Sequence, residues 1–457
     1  MYKNLKIGLG EMSFLKDFVT DTRNNLYPLT EKSDDLCERI ENNLYKVEKG
    51  KAKRMFCQFF PFATYELTAL TSDGKVGFCF EIVGAKARVF TNGETLFYSC
   101  GEKTETVKLP DFAKKETTLI VSCRPGAFDV YLKNGGSTQF LHTFLEDAFK
   151  NSNNHQLFKD GYVSLLTEGK VTVADVQSYV DNGVSIADMR FIKYENGEII
   201  CEQGKVYFTA SIRMQEGVFQ GIFSWVPGTT HFELTGALFY DCGDGFWRGY
   251  VAPVILYCRK ENKWYLWASS FGDEHILVHS RFEGDVRFGV NVVDVSFMEK
   301  ATKDSSLNDF VGFKGDEDPD LFYDEENDRW LLAVCRVDTS VMQYRYFFYE
   351  SKEPFANFKY LGKGYDGSET GGSFVKVENE LFFLCGYGQT YDSKYRIYGK
   401  DFVKDASFNF ADGGMRGWGS VAPIKTGSRT RYYWLTFDRH NGSDYNWSYG
   451  NIYCFEA

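Results

Sequence analysis

The sequence predicts an all-β molecule, a five-bladed β-propeller preceded by an antiparallel β-sandwich. Three observations lead there. Apolar runs are short, rich in aromatic and β-branched residues, and cut by Gly, Asn and Asp turns at intervals of about ten residues. One strand type recurs five times in the second half of the chain, and the first half alternates without that repeat. Helical periodicity is confined to LCERIENNLYKVEKG, near residues 37–50.

Composition sets the limits. A chain of 457 residues, 43% hydrophobic and 17% aromatic, has material for two domains that each bury a core. With 52 basic against 63 acidic residues the formal charge is -11, which disfavours nucleic acid and anionic membranes as partners. The opening MYKNLKIGLGEMSFLKDF lacks a signal-peptide core, and no apolar run approaches the roughly 18 residues of a membrane span. The eleven cysteines are odd in number, and Cys57, Cys79, Cys123, Cys258, Cys335 and Cys385 sit inside apolar runs without metal-ligand spacing. They read as reduced, buried thiols, and the expected location is the cytoplasm.

Residues 1–181 are assigned to the sandwich, after a short irregular or helical lead-in. RMFCQFF, TYELTAL, VGFCFEIV, ARVFTN, TLFYSC, TTLIVSC and FDVYLKNGG alternate in the manner of half-buried strands joined by hairpins. Its candidate roles are carbohydrate binding, packing against the second domain, or formation of a homo-oligomer. The junction DNGVS is short, so the two domains are expected to dock.

Residues 182–457 are assigned to the propeller. GKVYFTAS, NKWYLWAS, DRWLLAVC, NELFFLCG and TRYYWLTF align on Val206, Trp264, Trp330, Leu381 and Tyr432, at separations of 58, 66, 51 and 51 residues. That period suits a four-stranded blade. Each is preceded by another apolar strand, in order IADMRFIKY, YVAPVILYC, EDPDLFYD, GGSFVKV and SVAPIKT. Inner strands of a propeller begin around one central channel. Counting back twelve residues from the aligned position gives Ala252, Asp318, Glu369 and Ser420, and the longer first hairpin places Asp188 at the matching start. Three carboxylates are thereby expected to converge on one funnel, at an electrostatic cost that raises the pKa of at least one.

Paired carboxylates across a sugar-sized gap are the minimum equipment for glycoside hydrolysis: one donates a proton to the leaving oxygen, the other attacks the anomeric carbon or activates water. At this point the residues resemble a known group, the arabinanase, levansucrase and invertase superfamily of glycoside hydrolase families 32, 68, 43 and 62. EDPDLFYDEENDRWLLAV is similar to the Arg-Asp-Pro strand of family 32, and ETGGSFVKVENELFFL to its Glu-Cys-Pro strand. IADMRF and YVAPVILY are closer to family 43. The resemblance covers residues from about 185 onward. It implies Asp188 as nucleophile or base, Asp318 as transition-state stabiliser or as the group that tunes the acid, Glu369 as general acid, and a fructo- or arabinofuranoside of an oligosaccharide as substrate. The first half resembles a concanavalin-like sandwich, which accompanies such propellers at the opposite end of the chain.

Aromatic and arginine side chains at strand ends would complete a sugar pocket, and the candidates are Arg190, Trp247, Arg248, Trp418, Arg439 and His440. No cofactor or metal is expected: GxSxG, GxxxxGK[ST] and HExxH do not occur, and the six histidines are scattered. Two functions stand at this level, a furanoside-cleaving hydrolase and a non-catalytic carbohydrate-binding propeller.

Overall fold

The computed structural model describes most of residues 55–456 and short strands within 13–47; the longer segments outside it are 1–12, 19–25, 29–37, 48–54, 111–116, 299–314, 388–393, 408–414 and 439–451. Five small sheets form the blades, antiparallel except for one added parallel strand in each of the first two. Their inner strands are Ser185–Phe191, Val251–Cys258, Gly315–Asp324, Glu369–Val377 and Met415–Thr426, for blades I to V. Each pairs with one of the five recurring strands, Lys205–Arg213, Lys263–Ser269, Arg329–Asp338, Glu380–Tyr387 and Arg429–Asp438. The repeat in the sequence is therefore the second strand of each blade.

Apolar side chains on both faces of these strands interleave between neighbouring blades, which explains the near-continuous apolar runs. Trp267 and Trp434 are fully enclosed in the layers between blades II and III and between blades IV and V. Blades I and II share material: Gly289–Asp294 follows blade II in the chain but lies parallel to Phe232–Asp241 of blade I.

Two features depart from the sequence expectation. Ser13–Phe18 does not belong to the sandwich; it pairs antiparallel with Ile452–Glu456 and forms the edge of blade V. Glu38–Glu41 and Leu44–Val47, expected as helix, are strands. Val171–Asp181 offers them a ladder through Val173 and Tyr45, and backbone pairing overrides a short helical pattern.

The sandwich has a six-stranded and an eight-stranded sheet, packed over a core that includes Tyr65, Phe78, Phe80, Phe128 and Phe144. It docks on blade I through a backbone bond and a side-chain bond between the same two residues. Trp247 N–H donates to the Asn153 carbonyl at 2.9 Å, and Asn153 Nδ2 donates to that of Trp247 at 3.1 Å. The Trp247 indole stacks on His155 at 5.4 Å and meets Phe158 edge-on at 5.0 Å. Nine cysteines among the described residues are free thiols, seven of them buried.

Candidate active site

Every inner strand is broken near its start by a β-bulge. The register jumps between Ala187 and Arg190, Val251 and Val254, Glu317 and Asp320, Thr370 and Ser373, and Met415 and Gly419. In the first four blades the bulged residue has a left-handed backbone: Asp188 at φ 55°, Ala252 at 50°, Asp318 at 46° and Gly371 at 62°. A bulge re-aims the side chain it carries. For a residue other than Gly this conformation costs of order 1 kcal/mol or more, and it clusters at functional sites.

This pattern corrects the register by which Glu369 was grouped with the two aspartates. Tyr323 opposes Trp330 in blade III, whereas Lys376 opposes Leu381 in blade IV, a hairpin two residues shorter. The position equivalent to Asp318 is thus Gly371, and Glu369 lies two residues ahead of it. In blade V the hairpin is longer, with Pro423 opposite Tyr432, which moves the equivalent from Ser420 to Trp418.

A cavity of about 870 Å³ opens over the strand starts. Asp188, Glu317, Asp318 and Thr370 of the propeller line it, with Arg213, Arg248 and the half-exposed ring of Phe271 beside them. Phe62, Arg124, Lys150, Asn151 and Asn153 reach it from the sandwich, so the pocket lies between the two domains.

Its carboxylates are each held differently. Asp188 Oδ2 accepts from Arg213 Nη2 at 3.1 Å. Asp318 Oδ2 accepts from the Gly371 N–H at 2.9 Å and from the Thr370 hydroxyl, while its own N–H donates to Ser269 Oγ at 2.9 Å. Glu317, nearly buried, lies 3.3 Å from His275 Nε2. Burial holds the His275 imidazole below its ordinary pKa, against the pull of Asp316 and Asp318. Behind it the enclosed Asp316 carboxyl is pushed up by burial, in spite of Arg336 at 3.2 Å.

Of the remaining expected site residues, only Arg248 is among the described residues that line the cavity. Glu369 is completely enclosed and is no part of the cavity lining. It accepts from Arg396 Nη1 at 2.7 Å and from the Tyr398 hydroxyl, and burial pushes its carboxyl up against both bonds. Arg190 is also enclosed, donating to the Gly372 carbonyl under the cavity floor; burial opposes its charge, and Tyr346, Asp320 and Asp318 more than offset that. Below it Lys193 and Asp320 form a second buried pair at 2.9 Å. Trp247 packs in the domain interface and is not among the residues that line the cavity. Arg248 does line the cavity, held by both oxygens of Asp244, whose carboxyl it lowers to about 2. Trp418 is within Met415–Thr426 with its side chain outside the described residues, and Arg439 and His440 also lie outside them.

Sequence reasoning missed Arg213, Thr370, Phe271 and, as a pocket residue, Glu317. Strict alternation sends neighbours 317 and 318 to opposite faces, and the bulge brings both to the cavity. The one available signal was the acidic pair before Pro319.

No family model and no curated protein matches the sequence. Among solved structures, the chain is similar to a thermostable family-43 glycoside hydrolase at 12% identity, over 59% of this chain and 88% of that one, with a TM-score of 0.39. It is similar to a family-117 glycoside hydrolase of the marine bacterium Zobellia galactanivorans at 13% identity, over 60% and 84%, TM-score 0.40. The catalytic domain of a Coprinopsis cinerea family-62 α-L-arabinofuranosidase gives 12%, 60% and 97%, TM-score 0.37. At these values the likeness concerns fold alone, and the chemistry of the site rests on its own residues.

Proposed function

We propose that the protein is a glycoside hydrolase, with Asp188, Glu317 and Asp318 as its working carboxylates. The observation that carries this reading is their convergence on one cavity of about 870 Å³, two of them at left-handed bulges that cost stability to maintain. A cavity of that size suits one or two sugar rings.

Asp188, oriented by Arg213, is the nucleophile or base. As nucleophile its carboxylate oxygen bonds to the anomeric carbon while the bond from that carbon to the leaving oxygen breaks; as base it takes a proton from the attacking water. Asp318 is fixed by Thr370 and Gly371 and stabilises positive charge developing on the ring. Glu317 supplies the proton to the leaving oxygen in place of Glu369, which is enclosed and does not line the cavity. His275, through Nε2–H, would then steady the carboxylate that remains. The substrate class expected from the sequence is a fructo- or arabinofuranoside.

The deciding experiment measures sugar release from fructosides, arabinofuranosides, galactosides and xylosides by the wild type and by Asp188→Asn. Release by the wild type alone supports the hydrolase. Binding without release from any member would instead make this a carbohydrate-binding protein.

A further inference from the structure

Four aromatic residues line the cavity, and they are not equally covered. Phe62 and Tyr250 are buried, and Phe246 is half-buried with the Arg248 guanidinium 5.6 Å from its ring centre. Phe271 leaves 43% of its surface open. An exposed phenyl ring in a polar pocket is a cost that a ligand with an apolar face would remove.

The ring is held in a definite place. Phe271 follows the second strand of blade II, Lys263–Ser269, ahead of the third, Leu277–Phe282. The buried Ser270 ties the two ends of that connection together. Its N–H and its Oγ both donate to the Ile276 carbonyl, at 3.1 and 2.7 Å, and its own carbonyl accepts from the His275 N–H at 3.1 Å. The Phe271 and His275 rings thereby come within 4.9 Å of each other. His275 is in turn fixed to the inner strand of blade III. Its carbonyl accepts from the Asp316 N–H at 2.9 Å, and a Cβ on Gly315 would run into its ring. Nε2 of the same ring stands 3.3 Å from Glu317 Oε2.

A general acid protonates the leaving oxygen, so the groups built around it meet the leaving half of the substrate. Only the His275 ring separates Phe271 from the carboxyl group assigned to that task. A sugar ring presents C–H bonds on its flat face, and a phenyl ring covers such a face without asking for a hydrogen bond. We propose that Phe271 is the platform of the leaving-group subsite. It selects a leaving group with a ring face, the next sugar of an oligosaccharide, over a small one. This rests on the hydrolase reading with Glu317 as proton donor, and it names the residue that holds the departing sugar.

The test compares leaving groups. For fructose, arabinofuranose, galactose and xylose, a disaccharide with that sugar at its non-reducing end and the corresponding glycosyl fluoride are given to the wild type, Phe271→Ala and Phe271→Trp. Fluoride has no ring on the leaving side and departs with little help from an acid. Phe271→Ala should lower kcat/KM on the cleaved disaccharide about tenfold, mainly by raising KM, and leave the fluoride within about twofold. Phe271→Trp, which keeps a flat aromatic face, should restore the disaccharide value. An equal loss on both substrates, or no loss on either, overturns the subsite while the hydrolase stands. A loss confined to kcat would mean that the ring acts through His275 on the acid, and overturns it as well. If the wild type cleaves no disaccharide and no fluoride, the hydrolase reading fails and takes the subsite with it.

Discussion

At the residue scale the assignment of the proton donor is the sharpest claim. Glu317→Gln should lower kcat on substrates with poor leaving groups by about 10²–10⁴-fold and spare activated aryl glycosides, since only proton donation is removed. Glu369→Gln should leave leaving-group dependence unchanged and instead reduce stability by about 1–3 kcal/mol, because an enclosed charge-assisted bond to Arg396 is weakened. If the two variants exchanged phenotypes in steady-state kinetics and thermal melts, the acid would be Glu369. A second residue makes a pH prediction. His279 packs between Trp267 and Phe355, and burial lowers its pKa below 6.5. The unfolded chain then binds more protons than the folded one between the lowered value and 6.5, so stability falls as pH drops through that window. His279→Phe, which keeps the stacking and cannot titrate, should flatten this acid limb in melts recorded from pH 7.5 to 5.

At the element scale the inner strands trade local comfort for aim. Asp188, Ala252 and Asp318 share the left-handed bulge, yet Ala252 carries no reactive group. Ala252→Gly should therefore stabilise the protein by about 1 kcal/mol by relieving the backbone, with activity retained, as read from a denaturation midpoint. A loss of stability would mean that the small buried methyl contributes more than the strain costs. The same elements show what was legible. Five recurrences of an aromatic strand gave the blades, because inter-blade packing imposes the same apolar pattern each time. They also located Asp188 and Asp318. The bulges left no mark, since no residue type is required at them, and hairpin length was invisible in a fixed count of twelve. Glu369 was misplaced for that reason. Arg124 and Lys150 were beyond reach in sequence, being brought to the cavity by domain docking.

At the scale of the whole molecule, the chain enters the propeller, leaves it for the sandwich and returns. Ser13–Phe18 pairs from Ser13 opposite Glu456 to Phe18 opposite Ile452, so the last blade is closed by the first described strand. A boundary at 182 is then a proposal about folding units with a definite consequence. A fragment of residues 182–457 would leave Ile452–Glu456 as a bare edge, its backbone donors and acceptors open to other chains. It would also uncover Trp247, with the aromatic face that His155 and Phe158 shield. Such a fragment should aggregate or be degraded rapidly by protease. Supplying residues 1–18 through a linker should restore blade V and part of the resistance, whereas the exposed Trp247 face would remain. Protease half-lives of the two fragments separate the contributions: equal half-lives would show that strand closure adds nothing, and full protection of the linked fragment would show that the sandwich serves the pocket alone.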